Sequence, residues 1–206
     1  HFVRRRQRQM CIRDRFFVKQ ETRQLWKTNG TPSGTKMIID MDSLSPSGYG
    51  ELNWNFASIN NKLYFGASDG TNGIELWALD PANITGLGGG SGSNSGTYNG
   101  NGTAWMVQDT YSGTYSGNPS ILTAVGNTLY FRAYEGTNGA ELWKSDGTAS
   151  GTVMVKDIYS GSSNSNLAEL TAVGNTLYFR ADDGVHGQEL WKSDGTASGT
   201  VMVKDI

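Results

Sequence analysis

Leu122–Ala133 reads LTAVGNTLYFRA, and the same stretch returns unchanged as Leu170–Ala181. A second stretch, Glu141–Ile158 (ELWKSDGTASGTVMVKDI), returns as Glu189–Ile206. Both belong to 48-residue units, 111–158 and 159–206, that are identical at 36 positions. A tandem period of this length marks a repeat architecture, in which one supersecondary unit cannot bury its apolar surface alone and stacks on the next.

Earlier copies are visible further up the chain. Asn61–Trp77 (NKLYFGASDGTNGIELW) is one, and Gln24–Asp40 (QLWKTNGTPSGTKMIID) is the second half of another. Trp26, Trp77, Trp143 and Trp191 mark the units, with gaps of 51, 66 and 48 residues. The long middle gap holds an insertion, Pro81–Gly102, rich in Gly, Ser and Asn.

Each unit reads as four short strands. In the third, Ile121–Val125 enters a tight Gly126-Asn127 turn and leaves as Thr128–Ala133; glycine there tolerates the positive φ of a primed hairpin turn. The loop Tyr134–Gly139 leads to Ala140–Ser145, and Asp146-Gly147 with Gly151 punctuates the way to Thr152–Ile158. Along the second strand Leu129, Phe131 and Ala133 alternate with Thr128, Tyr130 and Arg132, so neither face is cleanly polar and both need covering. Pairing Ala133 with Ala140 would set Arg132 opposite Glu141, and Arg180 opposite Glu189, as cross-strand ion pairs.

These features predict an all-β fold: tandem four-stranded antiparallel blades of a β-propeller, in an incomplete open arc of about three and a half blades. A stacked β-solenoid is the competing architecture, but its parallel strands sit badly with tight two-residue connections. The expected division is a partial blade at 24–41 supplying only its last two strands, a blade at 53–110 interrupted by 81–102, and blades at 111–158 and 159–206.

Glu-Leu-Trp-Lys-Ser-Asp-Gly-Thr at 141–148 and 189–196, each followed by Gly-Thr at 151–152 and 199–200, resembles the ELWxxDGT repeat family of bacterial proteins. The resemblance spans about 24–206. It weakens to Gln24-Leu25-Trp26 and Asn29-Gly30-Thr31 in the first unit, and in the second keeps Glu75-Leu76-Trp77 but loses the Asp-Gly-Thr. It implies a propeller-like fold and a secreted habit, and no chemistry.

The net charge of −2 is unevenly spread: residues 1–23 hold eight of the 17 Lys and Arg and two of the 19 acidic residues. The repeats are therefore mildly acidic, which argues against nucleic acid as a partner. Arg4–Arg15 (RRRQRQMCIRDR) resembles translated sequencing-adapter read-through, so residues 1–23 are set apart as a non-native or disordered basic segment. A chain starting at His1 is expected to be a fragment, with any signal peptide upstream. Cys11 is the only cysteine, which leaves the repeats without disulfides or zinc thiolates. No apolar run nears the ~18 residues of a membrane span.

Candidate chemistry is sparse. Asp69, Glu135, Asp182 and Asp183 sit beside glycines in the second-to-third-strand loops; calcium is one reading, turn formation the stronger one. Asp40, Asp109, Asp157 and Asp205 recur near the end of the last strand and read as solvated edge charges rather than a cation ring. His186 is the only histidine in the repeats, too little for a nucleophilic triad. Trp77, Trp143 and Trp191 read as packing between blades, whereas Trp54 and Trp105 fall outside the motif and are options for a sugar or partner surface.

No catalytic, cofactor or metal residue is assigned. The expectation is a non-enzymatic extracellular or cell-surface module for binding, adhesion or scaffolding, with a protein or glycan ligand met by Tyr134–Gly139, Asp182–Gly187 and the insertion after Trp77. A carbohydrate-active enzyme, or its carbohydrate-binding domain, is the alternative.

Overall fold

The computed structural model describes residues 15–19, 24–40, 52–80 and 104–205, and these form strands without a helix. Four antiparallel sheets follow one another along the chain. The first holds β1 (Arg15–Lys19), β2 (Gln24–Thr28) and β3 (Lys36–Asp40). The second holds β4 (Leu52–Ile59), β5 (Lys62–Ala67), β6 (Glu75–Leu79) and β7 (Ala104–Gln108). The third holds β8 (Ser120–Val125), β9 (Thr128–Tyr134), β10 (Ala140–Ser145) and β11 (Val153–Lys156). The fourth holds β12 (Ala168–Val173), β13 (Thr176–Asp182), β14 (Gln188–Ser193) and β15 (Val201–Lys204).

Within each sheet, neighbours in sequence are neighbours in space, and the first strands β4, β8 and β12 lie side by side. This is a run of propeller blades, and it is open: among the described residues no strand of the first sheet pairs with the last. The tight turns are as expected. Gly126 and Gly174 take φ of 57° and 58°, and in the second sheet Asn60 and Asn61 take 50° and 60°.

The alternation of Leu-Tyr-Phe now has a physical reason. Leu and Phe of each second strand, with the motif Trp, face the preceding sheet, while Tyr and the motif Leu face the following one. Leu63, Phe65 and Trp77 thus pack against Leu25 and Ile38 of the first sheet. Leu129, Phe131 and Trp143 meet Tyr64, Leu76 and Val107. Leu177, Phe179 and Trp191 meet Tyr130, Leu142 and Val155. Burying each such side chain stabilises by about 1.5–3 kcal/mol. A bulge recurs at the Leu-Trp step of all four sheets. It adds one residue to the last strand, and that residue, Ile38, Val107 or Val155, is buried against the next sheet.

Two expectations are corrected. The first sheet has three strands rather than two, because Arg15–Lys19, within the segment set apart at 1–23, pairs with Gln24–Thr28. The expected facing of arginine and glutamate across the strands is also corrected. β9 runs one residue longer than expected, so Ala140 pairs with Tyr134, Glu141 faces Ala133, and Arg132 faces Leu142. The same register sets Glu189 against Ala181 and Arg180 against Leu190. A one-residue slip moves every side chain to the other face.

Candidate ligand-binding face

The recurring polar side chains serve the backbone. In the third unit Asp146 Oδ1 accepts from the Thr148 N–H and hydroxyl at 2.9 and 2.7 Å. The Thr148 hydroxyl accepts from Gly151 N–H, and the Thr152 hydroxyl donates to the Thr148 carbonyl while touching Ser145 Oγ. Asp194 builds the same loop in the fourth sheet, and Asn29 builds it in the first. The donors from Thr148 hold the Asp146 carboxyl below its ordinary pKa. A Cβ on Gly34, Gly151 or Gly199 would strike the Asn or Asp side chain, which explains the second glycine of the motif.

The motif glutamate closes the opposite end of the blade. Glu75 is fully buried and accepts from the N–H and hydroxyl of Thr110, both at 2.8 Å, and from Gly117 N–H at 2.6 Å. Glu141, also fully buried, accepts from Ile158 N–H at 2.9 Å and Ser165 N–H at 3.0 Å. Each carboxylate therefore grips the linker that leaves its own sheet for the next. Burial outweighs these donors and pushes the Glu141 carboxyl up to about 7; Glu75 is raised for the same reason. The linkers are stitched further by Asn118 N–H to Ile74 O and Tyr134 N–H to Gly117 O, and in the next junction by Ser165 N–H to Ala140 O and Asp182 N–H to Ser165 O.

Asp109 and Asp157 belong to the same linkers. Each accepts through Oδ2 from the N–H four residues on, Gly113 and Gly161, at 3.2 Å, and each Oδ1 is buried without a partner. They are turn-forming carboxylates rather than the solvated edge charges read from the sequence. Sequence reasoning also missed the glutamate clamp, although the Tyr-Ser-Gly that opens both repeat units, 111–113 and 159–161, was a signal of a shaped linker.

Those linkers and the loops between second and third strands share one face of the arc. Here the repeats diverge. Asp69 accepts from Thr71 and Asn72 N–H, and Glu135 accepts from Asn138 N–H. Asp183 accepts from Val185 and His186 N–H, and its other oxygen lies 2.8 Å from His186 Nδ1. The His186 donors drop the Asp183 carboxyl to about 2, and Asp183 in turn raises the His186 imidazole. Turn formation thus accounts for the loop carboxylates, and no group of three metal-ligating side chains occurs among the described residues. The loop glycines are kept for the linker's sake: a Cβ on Gly136 or Gly184 would strike the ring of Tyr111 or Tyr159.

Aromatic side chains are the other feature of this face. The Tyr111 and Tyr115 rings stack at 4.8 Å and 17°, and Tyr115 is 62% exposed. Trp105, by contrast, is half-buried against the core between the second and third sheets, under the Lys62 ammonium at 5.2 Å, so it is a packing residue. The Trp54 side chain and the insertion 81–102 lie outside the described residues.

No known protein family and no curated protein matches the chain. Among solved structures it is similar to a prolyl endopeptidase from a structural and mechanistic analysis of two such enzymes, with a TM-score of 0.51 and 9% identity. The match covers 87% of this chain and 22% of that one. At that identity the likeness shows the propeller fold alone. No helix among the described residues is long and apolar enough to cross a membrane.

Proposed function

We propose that this chain is a non-enzymatic, extracellular binding module whose ligand, a protein or a glycan, is met by the divergent loops at 68–74, 134–139 and 182–187 and by the linker tyrosines between them. One observation carries the reading: the side chains that recur from unit to unit, Glu75, Glu141, Asp146 and Asp194, are occupied by the chain's own N–H groups. Recurrence here builds a scaffold, which leaves recognition to the positions that differ. Propeller loops converge on a face of a rigid array, a favourable place for such variation. The exposed Tyr115, backed by Tyr111, supplies a flat apolar surface with polar edges suited to a sugar ring or a partner side chain.

A glycan array and a protein-ligand screen on the 206-residue chain test this, with Tyr115→Ala as the face variant and Val153→Ala as a control far from that face. Binding weakened at least tenfold by Tyr115→Ala and unchanged by Val153→Ala supports the reading. Turnover of a glycoside or ester that is abolished by replacing one carboxylate would refute it, and the carbohydrate-active alternative would take its place.

A further inference from the structure

We propose that Asn29-Gly30 is a site of self-modification, at which Asn29 loses its amide nitrogen in the folded chain and the first Asn-Gly-Thr loop becomes an Asp-Gly-Thr loop like those at 146 and 194. The chemistry needs an asparagine, a following residue whose backbone nitrogen can approach it, and water. Gly30 N attacks Asn29 Cγ: that N–C bond forms, the Cγ–Nδ2 bond breaks, and ammonia departs with the proton that Gly30 N gave up. The five-membered imide then takes up water, and whichever of its two C–N bonds opens decides between an aspartyl and an isoaspartyl link. Glycine suits the second position because it has no Cβ to crowd the approach of its own nitrogen.

The loop presents the reacting atoms. Asn29 is exposed, and its Oδ1 accepts from the Thr31 N–H at 3.0 Å and from the Thr31 hydroxyl at 2.8 Å. Oδ1 is the oxygen that gains negative charge when Cγ is attacked, so two donors already aimed at it stabilise that charge in the manner of an oxyanion hole. The proton that must leave is placed as well. Gly30 N–H donates to Thr28 Oγ1 at 3.0 Å, and that hydroxyl lies 2.6 Å from Thr35 Oγ1.

Two other Asn-Gly steps among the described residues are held differently. Gly73 N–H donates to the Gly113 carbonyl and Asn72 Nδ2 donates to Asp69 Oδ2 at 3.1 Å, so nucleophile and leaving group are both engaged. Gly139 is buried so closely on the Ser163 carbonyl that a Cβ there would strike it, and Asn138 Nδ2 donates to the Met154 sulfur at 3.8 Å. Asn99-Gly100 and Asn101-Gly102 lie outside the described residues.

The aspartyl product fits the place. Asp146 and Asp194 accept the same two threonine donors, at 2.9 and 2.7 Å in each loop. The Thr148 donors, with a smaller contribution from Lys144, hold the Asp146 carboxyl below its ordinary pKa, and Lys27 stands in β2 where Lys144 stands in β10. An isoaspartyl link instead lengthens the main chain by one carbon and takes the carboxylate off the Thr31 donors.

The test incubates the 206-residue chain for several days at pH 8, folded and in concentrated urea. Trypsin then releases Asn29 in the peptide 28–36 and Asn138 in 133–144, and mass spectrometry reads the conversion of each amide to acid. The expected result in the folded chain is conversion at Asn29 at least fivefold faster than at Asn138 and no slower than at Asn29 in urea, where the two sites come together. Asn29→Gln should abolish the conversion, and Asn29→Asp should melt with the parent. Equal rates at the two sites in the folded chain overturn the proposal, as does a gap that persists in urea, since the flanking sequence would then set it. So do a rate at Asn29 that rises on unfolding, which would make the loop a shield, and an Asn29→Asp chain that melts lower than the parent.

Discussion

β10 and β14 carry the same five residues, Glu-Leu-Trp-Lys-Ser, in the same pairing with the strands on either side. Their surroundings differ. In β10 every one of these except the lysine is buried, whereas in β14 burial alternates strictly, with Glu189, Trp191 and Ser193 inside and Leu190 and Lys192 outside. The fourth sheet shows what one repeat achieves with a neighbour on one side, and the third shows what a second neighbour adds. The strand is formed in both cases, so β structure here is specified by the unit itself, while burial of the Tyr, the motif Leu and the bulge Val is a property of the stack. In such quasi-one-dimensional assemblies stability is close to a sum of unit and junction contributions.

The largest expected effect separates the two copies directly. Leu142→Ala opens a cavity at a filled junction and should cost about 2–5 kcal/mol, whereas Leu190→Ala removes a half-exposed side chain and should cost under about 1 kcal/mol. Urea titrations of both variants at low protein concentration measure this. Equal losses would mean that the fourth sheet's outer face is covered in solution, which breaks the comparison.

Next in size is the clamp. Glu141→Ala strips the acceptor from Ile158 N–H, which should cost about 1–3 kcal/mol, whereas Ser165 N–H keeps the Ala140 carbonyl. Thermal melts should show the loss, and a variant as stable as the parent would mean that water replaces the carboxylate and that the linker is held by its backbone contacts alone.

The same residue sets a pH dependence. The Glu141 carboxyl rises from the ordinary 4.5 to about 7 on folding, so between those values the folded chain holds a proton that the unfolded chain has released. Stability gained from the protonated form is fully present below pH 4.5 and is lost as pH rises through 7. Glu75 acts in the same sense, and so does His186, whose pKa is raised by Asp183. Asp146, Asp183 and Asp194 act oppositely, but only below their ordinary 3.8. Urea midpoints should therefore fall from pH 5 to pH 8, and Glu141→Gln, which does not titrate, should flatten part of that slope. A slope unchanged by the substitution would remove Glu141 as its source.

How much of this was readable beforehand follows the range of each interaction. The Asp-Gly-Thr loops were legible because Asp146, Thr148, Gly151 and Thr152 bond within a few residues of one another. So was the packing of Trp77, Trp143 and Trp191, since an apolar side chain at a fixed place in each unit needs a partner surface. The role of Glu141 was not legible, because its partners lie 17 and 24 residues away in a linker with little pattern of its own. It also turned on where β9 ends: stopping at Ala133 makes Glu141 the partner of Arg132, and ending at Tyr134 frees it for the linker. The face proposed for binding is the least legible part, since its positions are those where the repeat says nothing.

The smallest expected effect is a control on the comparison itself. Val153 and Val201 occupy one position in the last strand, beside Lys144 and Lys192, and they are 40% and 36% exposed. No following sheet reaches this position in either copy, so having a neighbour should not matter there. Val153→Ala and Val201→Ala should each shift stability by less than about 0.5 kcal/mol, and by the same amount. Paired thermal melts would check it. If Val153→Ala cost distinctly more than Val201→Ala, the stabilising reach of the fourth sheet would extend past the residues that touch it, through the strand pairing of β10 and β11, and the junction could no longer be treated as a set of local contacts.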